Sequence, residues 1–479
     1  MRDEFQFGTD GWRAVIADRF TFENVRRVAD AIGLAAREFE APDGVDANRL
    51  VVGYDRRFLS ADFAYEAALT LSKAGYDVIL SDAPTPSQTV SHAVKSRKLL
   101  GGVIITASHN PAVYNGIKFK GWYGGSALPS MYEKISESLG MEDRRGGGSV
   151  TKEDILTPYV DAVREIVDVE KIRESGLRIL HDPIHGAGSP LVARILHLDG
   201  PVRELGKTVS VRTIRADVNP AFGGVNPEPI PENLGVTLRL MARGEYHLAI
   251  CNDGDADRLG VIDEGGRFVS PHQILSLLAL YLVRDKGMRG DLVKTFSTTR
   301  LIEKIATALG VRLHETKIGF KYIVDLMLEN GVLLGGEESG GIGFGAFLPE
   351  RDGILSGLLV AECLAERREP LSRVVSLMEE EFGAAHYDRR DLHEPRTAIE
   401  HFLFRVERGD LDNAFGMPMT RRESLDGVKL NFEDGSWILF RKSGTEPLIR
   451  IYCESPVQDQ VDGMLDVAVR ELEQPVQTG

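Results

Sequence analysis

The fold is constrained most by a pattern that occurs three times along the chain. An apolar strand is followed by a helix-period run, a Gly and a second apolar strand. In the first copy the strand covers residues 50–55, the helical run 63–73 and the second strand 76–80, with Gly75 between the last two. Strand, helix and strand joined by short loops form a βαβ unit with parallel strands. Three copies therefore predict three related α/β domains in tandem.

The later copies follow the same order. The second has a strand at 177–180 and a helix at 191–197, and the third has a strand at 292–294, a helix at 301–309 and a strand at 311–313. Each unit leads to one more apolar strand that ends in a polar, Gly-rich loop. We name these the serine loop (106–111), the acidic loop (253–258) and the Glu-Ser loop (335–341). Because ligands of open α/β sheets bind at the carboxyl ends of strands, we expect the three loops to converge.

The remainder of the chain has a different character. Apolar runs at 428–432 and 437–440 flank Asp434-Gly435, a hairpin signal, and 457–472 has a helical period. A smaller α+β domain fits this part, and 479 residues suit several domains of roughly 100–200 residues. With joints near Thr157-Pro158 and Ser270-Pro271, the predicted domains are 1–156, 157–269, 270–375 and 376–479.

Composition excludes several classes of protein. The chain is 43% hydrophobic and 27% charged, as globular proteins are, and its net charge of −15 argues against nucleic-acid binding through the whole surface. The longest strongly apolar stretch, 274–283, is about half of the roughly 20 residues that span a bilayer, so we expect no membrane partner. Three cysteines, an odd number, and an N-terminus unlike a signal peptide indicate a cytoplasmic protein without disulfides.

The acidic loop has carboxylates at alternate positions, Asp253, Asp255 and Asp257, which are typical ligands of hard cations. An EF-hand is a rival interpretation, but its sixth position requires Gly and here holds Arg258, and strand-like runs flank the loop. Mg²⁺ in a catalytic site is therefore favoured over structural Ca²⁺. Taken alone, such a loop is more often a solvated acidic turn.

The serine loop contains Ser108, which follows a buried-looking strand. A serine can act as a nucleophile or carry a phosphoryl group when another group activates it. Taken alone, it is more often a turn residue or a helix cap, and the adjacent His109 is more often a structural hydrogen-bonding group.

Two further loops have binding chemistry. The Glu-Ser loop offers carboxylates and a hydroxyl suited to sugar hydroxyls, and is otherwise a capped acidic turn. The Arg loop, residues 441–447, offers basic groups, hydroxyls and a Gly at a strand end, which together can form a phosphate cradle. Arg450, on the next strand, either joins this cradle or is a solvated strand residue.

In this order, the serine, acidic, Glu-Ser and Arg loops resemble the phosphoserine, metal, sugar and phosphate loops of the α-D-phosphohexomutase superfamily. Residues 7–13, Phe-Gly-Thr-Asp-Gly-Trp-Arg, are similar to its N-terminal signature. The matches run from residue 7 to residue 450 and so cover the whole chain. The resemblance implies a heart-shaped molecule with a central cleft, built from three related mixed-sheet α/β/α domains and a smaller C-terminal α+β domain.

The resemblance also implies an activity: reversible transfer of a phosphate between O1 and O6 of a hexose through a hexose 1,6-bisphosphate. Ser108 would be the resting phosphoserine, and Asp253, Asp255 and Asp257 would hold Mg²⁺ together with a phosphoryl oxygen on Ser108. The bisphosphate would serve as both intermediate and activator.

Further roles follow from matching positions. Lys118 matches the position expected to transfer a proton, which requires a pKa depressed by nearby positive charge such as Arg13. Alternatively, Lys118 only contacts phosphate. His109 is a further catalytic candidate. The residues expected to bind substrate through its hydroxyls or phosphates are Glu337, Ser339, Arg441, Ser443, Gly444 and Thr445, with Arg258, Lys294, Lys317 and Arg450 as additional candidates.

The preferred sugar is predicted from two departures from the family pattern. Phe320 stands where many members have His, and the Glu-Ser loop reads Glu-Glu-Ser-Gly-Gly. Both favour phosphoglucomutase activity, with phosphomannomutase and phosphoglucosamine mutase as alternatives. A phosphoserine-dependent sugar phosphatase and a non-catalytic sugar-phosphate binding protein rank lower. We expect small-molecule hexose phosphates as partners, and a monomer or homodimer.

Overall fold

The computed structural model describes residues 5, 7–8, 10–142, 145–198, 208–329, 331–443 and 447–474. In this part of the chain, four β-sheets follow one another in sequence, and helices pack on them. None of the helices in the described ranges is long and apolar enough to cross a membrane.

The first sheet has the strand order β1-β2-β6-β5-β3-β4-β8, with β7 paired to β6, and the adjacent strands β5, β3, β4 and β8, the last at the edge, are parallel. The strands are β1 (Phe7–Gly8), β2 (Gly11–Val15), β3 (Asp46–Tyr54), β4 (Asp77–Ser81), β5 (Leu99–Ile105), β6 (Tyr114–Gly121), β7 (Gly125–Ser126) and β8 (Val150–Glu153). The helices are α1 (Phe22–Ala36), α2 (Ser60–Lys73), α3 (Ser87–Arg97) and α4 (Pro129–Glu137). Apolar residues of α1, α2 and α4 form one core with the sheet, and those of α3 form a separate one, which makes an α/β/α sandwich.

The second sheet has the order β10-β9-β11-β12-β13, in which β10, β9 and β11 are parallel and the others antiparallel. Its strands are β9 (Arg178–Asp182), β10 (Ser210–Thr213), β11 (Leu248–Asn252), β12 (Leu259–Asp263) and β13 (Phe268–Val269). The helices of this region are α5 (Leu156–Ile166), α6 (Val169–Glu174), α7 (Leu191–Ile195) and α8 (Gly235–Met241).

The third sheet has the order β15-β14-β16-β17, and β17 is its antiparallel strand. Its strands are β14 (Asp291–Thr295), β15 (Leu313–Thr316), β16 (Val332–Gly336) and β17 (Ile342–Phe344). Its helices are α9 (Pro271–Leu280), which continues into a π-helical turn (Tyr281–Asp285), α10 (Leu301–Leu309), α11 (Phe320–Glu329), α12 (Gly353–Arg367) and α13 (Leu371–Phe382).

The fourth sheet is antiparallel throughout, with the order β18-β22-β21-β20-β19. Its strands are β18 (His386–His393), β19 (Met419–Glu423), β20 (Val428–Phe432), β21 (Trp437–Lys442) and β22 (Leu448–Ser455). Helices α14 (Arg396–Arg408) and α15 (Gln458–Leu472) contribute to the apolar core on one face. The predicted hairpin turn is present, and Gly435 adopts φ 89° in it, a conformation that favours glycine.

The three predicted βαβ units are present as β3-α2-β4, β9-α7-β10 and β14-α10-β15. The fold class expected from them, three mixed α/β domains and a smaller C-terminal domain, is confirmed. The predicted joint at Ser270-Pro271 coincides with a helix start, where Ser270 and Gln273 form a capping box. The joint at residue 376 lies inside α13, which packs on α9 and α10, so we place the last boundary between Phe382 and His386.

The domains are not independent of one another. Helix α12 packs against β11 and β12 of the second sheet as well as against β17 of the third. One continuous apolar core joins these two regions and includes Ile250, Leu278 and Leu358. This shared core fixes the strand ends of the second and third sheets relative to each other.

Candidate active site

The loops that leave three strand ends meet at one place. The serine loop contacts the acidic loop through the Ser108 hydroxyl, which donates a hydrogen bond to Asp253 Oδ2 at 2.7 Å. The acidic loop contacts the Glu-Ser loop through the backbone at its end, where the Leu259 N–H donates to the Gly340 carbonyl at 3.0 Å. The three loops therefore converge as their positions at strand ends predict.

Ser108 lies in a turn and not at the start of a helix. Its backbone adopts φ 50°, and its N–H donates to Thr106 Oγ1 at 2.9 Å. The side chain is buried, and Oγ lies 3.5 Å from His109 Nδ1. The hydroxyl thus faces a carboxylate on one side and an imidazole on the other.

The carboxylates of Asp253, Asp255 and Asp257 are all fully buried, and one oxygen from each lies within 4.8 Å of the others. Burial is incompatible with a solvated acidic turn. The antiparallel strands β11 and β12 flank the loop, which is incompatible with an EF-hand. The acidic loop therefore forms a buried cluster of hard oxygen ligands.

The protein's own donors satisfy only part of this cluster. Oδ2 of Asp255 accepts from Ser87 and Lys118, and Oδ2 of Asp257 accepts from Arg351 and Lys118. The buried Oδ1 atoms of both aspartates have no hydrogen-bond partner among the described residues. Buried, unpartnered carboxylate oxygens are the ligands that a hard divalent cation takes, so the residues present fit Mg²⁺.

Electrostatics within the cluster are strongly coupled. Burial and the neighbouring Asp257 and Asp255 raise the pKa of Asp253 well above its usual range. Burial also disfavours the charged form of Asp255, but the Lys118 ammonium and the hydrogen bonds from Lys118, Ser87 and Asp253 together lower the pKa of Asp255. A cation bound at this cluster would relieve the repulsion among the three carboxylates.

Lys118, on β6, is buried among carboxylates. Its Nζ lies 2.8 Å from Asp10 Oδ2, 2.8 Å from Asp255 Oδ2 and 3.4 Å from Asp257 Oδ2. Burial alone would lower the pKa of Lys118, but the three carboxylates raise it above its ordinary value. The condition for Lys118 to act as a base, a depressed pKa, is therefore not met here, because carboxylates surround the ammonium group.

Positive groups surround the serine loop. Burial, together with Arg258 and Arg13, lowers the pKa of His109 well below its usual value, so the imidazole is neutral. Arg13 Nη1 donates to Asn110 Oδ1 at 2.5 Å, and Arg258 Nη1 pairs with Glu228 Oε1 at 3.0 Å. The structure therefore brings Arg13, His109 and Arg258 to the same place as Ser108.

The Glu-Ser loop places Glu337 in the interior and Ser339 at a half-buried position. Burial raises the pKa of Glu337 to about 7, although Arg351, whose Nη1 lies 3.5 Å from Glu337 Oε2, opposes the shift. Glu338 accepts a hydrogen bond from Ser297 Oγ at 2.8 Å. A carboxyl that titrates near neutrality can accept hydrogen bonds from sugar hydroxyls or donate one to them.

The two lysines proposed from the third domain have different surroundings. Lys294 is buried, contacts Glu303 and lies 3.0 Å from Glu315. Lys317 is exposed in the connection between β15 and α11. No contact links either side chain to the serine or acidic loop among the described residues, so their role in binding substrate stays a prediction.

Two arginines of the fourth domain face each other. Arg441 on β21 is directly opposite Arg450 on β22. Each is partly neutralised, Arg441 by Asp426 at 3.0 Å and Arg450 by Asp391 at 3.4 Å. Like charges directly opposite each other on a sheet repel, so this pair is a favourable place for an anion.

The Arg loop itself is described in part. Ser443 donates its N–H to the Leu448 carbonyl at 2.8 Å, which closes the loop at its base. Gly444 and Thr445, predicted to belong to the phosphate cradle, lie outside the described residues.

Sequence reasoning missed three residues that touch the cluster. Asp10 accepts from Lys118 and Arg351 at 2.8 Å each, and Arg351 also donates to Asp257 at 2.7 Å. Ser87, at the start of α3, hydrogen-bonds Asp255 through its side chain and donates its N–H to the Asp255 carbonyl at 3.1 Å. Asp10 lies within the 7–13 signature, so it could have been found, whereas Arg351 has no local sequence signal.

Models of four protein domains match this chain in order. They are the α/β/α domains I, II and III and the C-terminal domain of phosphoglucomutase/phosphomannomutase, at residues 4–145, 157–266, 270–381 and 403–471. Together with the fold and the converging loops, these matches define a four-domain phosphohexomutase. The chain belongs to the phosphoglucomutase/phosphomannomutase family, within the α-D-phosphohexomutase superfamily.

Relatives extend over nearly the whole chain. A phosphoglucomutase/phosphomannomutase of Thermococcus kodakarensis is 33% identical over 477 residues, covering 98% of each protein. A phosphoglucosamine mutase of Heliobacterium modesticaldum is 30% identical over 489 aligned residues, covering 96% of this chain and 97% of the relative. A crystal structure from Thermus thermophilus, provisionally named a phosphomannomutase, has a TM-score of 0.85 and 36% identity, covering 98% of this chain and 99% of that one.

Proposed function

We propose that the chain interconverts glucose 1-phosphate and glucose 6-phosphate, with Ser108 carrying the phosphoryl group. The observation that supports this most is the position of Ser108 Oγ, buried at a strand end and hydrogen-bonded to a member of the acidic cluster. A serine hydroxyl beside a cation site is placed for reversible phosphorylation. Membership of the family supports the same reaction class.

The proposed reaction has two transfers that are each other's reverse. First, O6 of glucose 1-phosphate attacks the phosphorus on Ser108, the bond from phosphorus to Oγ breaks, the O6 proton goes to a base, and Oγ takes up a proton. Glucose 1,6-bisphosphate results and turns round in the cleft. Ser108 Oγ then loses its proton to a base and attacks the phosphate on O1, the bond from phosphorus to O1 breaks, and O1 takes up a proton. Glucose 6-phosphate leaves, and the enzyme is again a phosphoserine.

The acidic cluster would bind the cation that this chemistry requires. Mg²⁺ held by Asp253, Asp255 and Asp257 would neutralise charge on the transferring phosphoryl group. Lys118 and Arg351 fix the orientation of two of these carboxylates through their Oδ2 atoms. The Oδ1 atoms of Asp255 and Asp257, which have no hydrogen-bond partner among the described residues, would be available to hold the ion.

Proton movement is assigned to two groups. His109 is neutral, and its Nδ1 lies 3.5 Å from Ser108 Oγ, so we propose that it accepts the hydroxyl proton when Ser108 attacks. Lys118 is charged while the carboxylates face it, and in that form it donates to a phosphoryl oxygen. It can accept the O6 proton only when the negative charge around it is offset.

Substrate is held away from the reacting phosphate by the remaining loops. We propose that Glu337 and Ser339 bind O3 and O4 of the sugar, and that Arg441 and Arg450 bind the phosphate that is not reacting. The opposed arginines support this because an anion between them removes their repulsion. Other residues proposed to bind substrate are Arg258, Ser443, Gly444, Thr445, Lys294 and Lys317.

The proposed preference for glucose rests on the Glu-Ser loop and on the residues that pack against Glu337. Phe320, which stands where many family members have His, is buried under the Arg351 guanidinium at 5.5 Å, and Arg351 contacts Glu337. An aromatic ring at this position supports the sugar-binding carboxylate but offers no hydrogen bond of its own.

A second candidate is phosphoglucosamine mutase activity, which several relatives' names favour. The test measures initial rates on glucose, mannose and glucosamine 1-phosphates under one set of conditions, with Mg²⁺ and the matching 1,6-bisphosphate. The proposal expects the highest kcat/KM for glucose 1-phosphate. A higher kcat/KM for glucosamine 1-phosphate would show that the chain is a phosphoglucosamine mutase. Stoichiometric release of free phosphate would indicate a phosphatase.

A further inference from the structure

A single buried side chain supports the serine loop from behind. Arg57 follows β3, and its Nη2 donates to the carbonyls of Ser108 at 2.6 Å and Asn110 at 2.7 Å. Its Nη1 donates to the carbonyls of Pro111 at 2.9 Å and Tyr114 at 3.0 Å. A planar guanidinium therefore fixes four carbonyl directions of one turn at once, which no other side chain type can do.

The same guanidinium is connected through Asp55 to Thr106, at the start of the serine loop. Arg57 Nε lies 3.2 Å from Asp55 Oδ2, and both side chains are fully buried. Asp55 Oδ2 also accepts from the Thr106 hydroxyl at 2.6 Å, and Thr106 Oγ1 accepts the Ser108 N–H. The N–H and the carbonyl of Ser108 are thus both held by a network centred on one buried ion pair.

This support acts on a strained residue. Ser108 has φ 50°, a conformation that residues other than glycine keep only when their surroundings enforce it. The backbone of the second domain packs closely against Ser108, since a Cβ on Gly254 would lie 2.5 Å from the Ser108 carbonyl oxygen. In addition, the ring of Phe222 lies 4.9 Å from the Arg57 guanidinium. Arg57 therefore lies between the serine loop and the domain that carries the acidic loop.

We propose that Arg57 is a positioning residue for phosphoryl transfer, which holds Ser108 in the left-handed conformation that points Oγ at Asp253. This inference rests on the proposed function of Ser108. Arg57 contacts the serine loop through backbone carbonyls and not through the Ser108 side chain, so it acts on the reaction through the placement of Oγ. A displacement of about 1 Å at a reacting atom costs roughly 100-fold in rate, which sets the expected size of the effect.

The neighbouring Arg56 provides a matched control. It has the same side chain and also donates to backbone carbonyls, those of Ala216 at 2.8 Å and Ser189 at 3.1 Å, but none of these lies in the serine loop. Arg56→Lys therefore reproduces the loss of a guanidinium at the domain junction without releasing Ser108.

The experiment measures single-turnover phosphorylation of dephosphorylated protein by glucose 1,6-bisphosphate with Mg²⁺, together with kcat and KM. The rate constant reports the geometry of Ser108, whereas the amplitude reports the fraction of folded protein. Arg57→Lys is expected to lower the rate constant and kcat about 100-fold and to change KM by less than about threefold. Arg56→Lys is expected to stay within about threefold of wild type in all three.

Two results would overturn the proposal. One is a rate constant for Arg57→Lys equal to that of Arg56→Lys, and the other is a loss confined to the amplitude. If Arg57→Lys does not fold, Arg57→Ala is assayed with and without millimolar guanidinium. An increase of the rate constant on adding guanidinium supports the proposal. A rate constant of folded Arg57→Ala equal to that of wild type without guanidinium contradicts it. Wild-type protein that is not phosphorylated on Ser108 would instead refute the proposed function.

Discussion

Removing one hydroxyl next to the acidic cluster should weaken its affinity for Mg²⁺ while leaving the cluster itself unchanged. In Ser87→Ala, Asp255 loses the donor that, with Lys118, holds its Oδ2. The carboxylate is then held at Oδ2 by Lys118 alone, so its Oδ1, which has no hydrogen-bond partner among the described residues, is positioned less firmly. Loss of such an outer hydrogen bond typically costs 10–100-fold in metal affinity.

The magnitude can be checked from the bond itself. A hydrogen bond to a charged group contributes about 1.5–3 kcal/mol, and a 10–100-fold change in the dissociation constant corresponds to about 1.4–2.7 kcal/mol. Both routes give about 2 kcal/mol. The assay is titration of Mg²⁺ by calorimetry, or the rise of the unfolding temperature with Mg²⁺ concentration. Neither readout depends on turnover.

Helix α3 also supplies the control for this test. Ser91 lies one turn further along and donates to Glu350 Oε2 at 3.2 Å, not to a member of the acidic cluster. Ser91→Ala should keep the wild-type affinity for Mg²⁺ within about twofold. The reasoning is refuted if Ser87→Ala binds Mg²⁺ as tightly as Ser91→Ala, because Ser87 would then have no part in orienting Asp255.

The remaining predictions concern a buried ion pair and a titrating carboxyl. Glu350→Gln leaves the fully buried Lys120 without its counter-charge and should lower the free energy of unfolding by about 3 kcal/mol in urea, whereas Glu381→Gln on the surface should cost less than about 1 kcal/mol. Equal losses would contradict the assignment of a buried pair between the first and third domains. Because the pKa of Glu337 is raised to about 7, its carboxylate forms as the pH rises through 7, and sugar hydroxyls can then donate to it. The ratio of kcat/KM for wild type to Glu337→Gln should therefore increase between about pH 6 and pH 8, and a ratio independent of pH would show that the carboxylate form is not needed.

Local patterns in the sequence were sufficient to predict the fold class and the convergence of the loops. The repeated βαβ pattern can be recognised from neighbouring residues alone. For example, helix α10 ends at Gly310, which adopts a left-handed conformation. The serine and acidic loops were found because each follows a buried strand, and the topology of parallel sheets places such ends together.

The electrostatic state of Lys118 depends on contacts that sequence proximity does not reveal. Arg13 is on the neighbouring strand β2 and was the visible charge, but Asp10, Asp255 and Asp257 approach from a turn and a second domain and set the direction of the pKa shift. The condition for Lys118 to act as a base, a pKa depressed by a cation such as Arg13, is therefore not met by the surroundings that the fold gives it.

Partners on other secondary-structure elements were invisible for the same reason. Lys294 has a sequence position that suits a substrate contact, yet Glu303 and Glu315 surround it in the fold. Arg351 precedes a helix start and has no motif, although it joins Asp10 of the first domain to Asp257 of the second. Such roles follow from three-dimensional packing and not from any pattern along the chain.

The most direct test of the account is the location of the phosphate during catalysis. Dephosphorylated protein is mixed with Mg²⁺ and glucose 1,6-bisphosphate, quenched within one turnover, and mapped by mass spectrometry, with Ser108→Ala as the control. The account predicts stoichiometric phosphate on Ser108, release of a glucose monophosphate, and no phosphoprotein in Ser108→Ala. Phosphate on another residue, or phosphorylated Ser108 that transfers nothing to any hexose 1-phosphate, would contradict it.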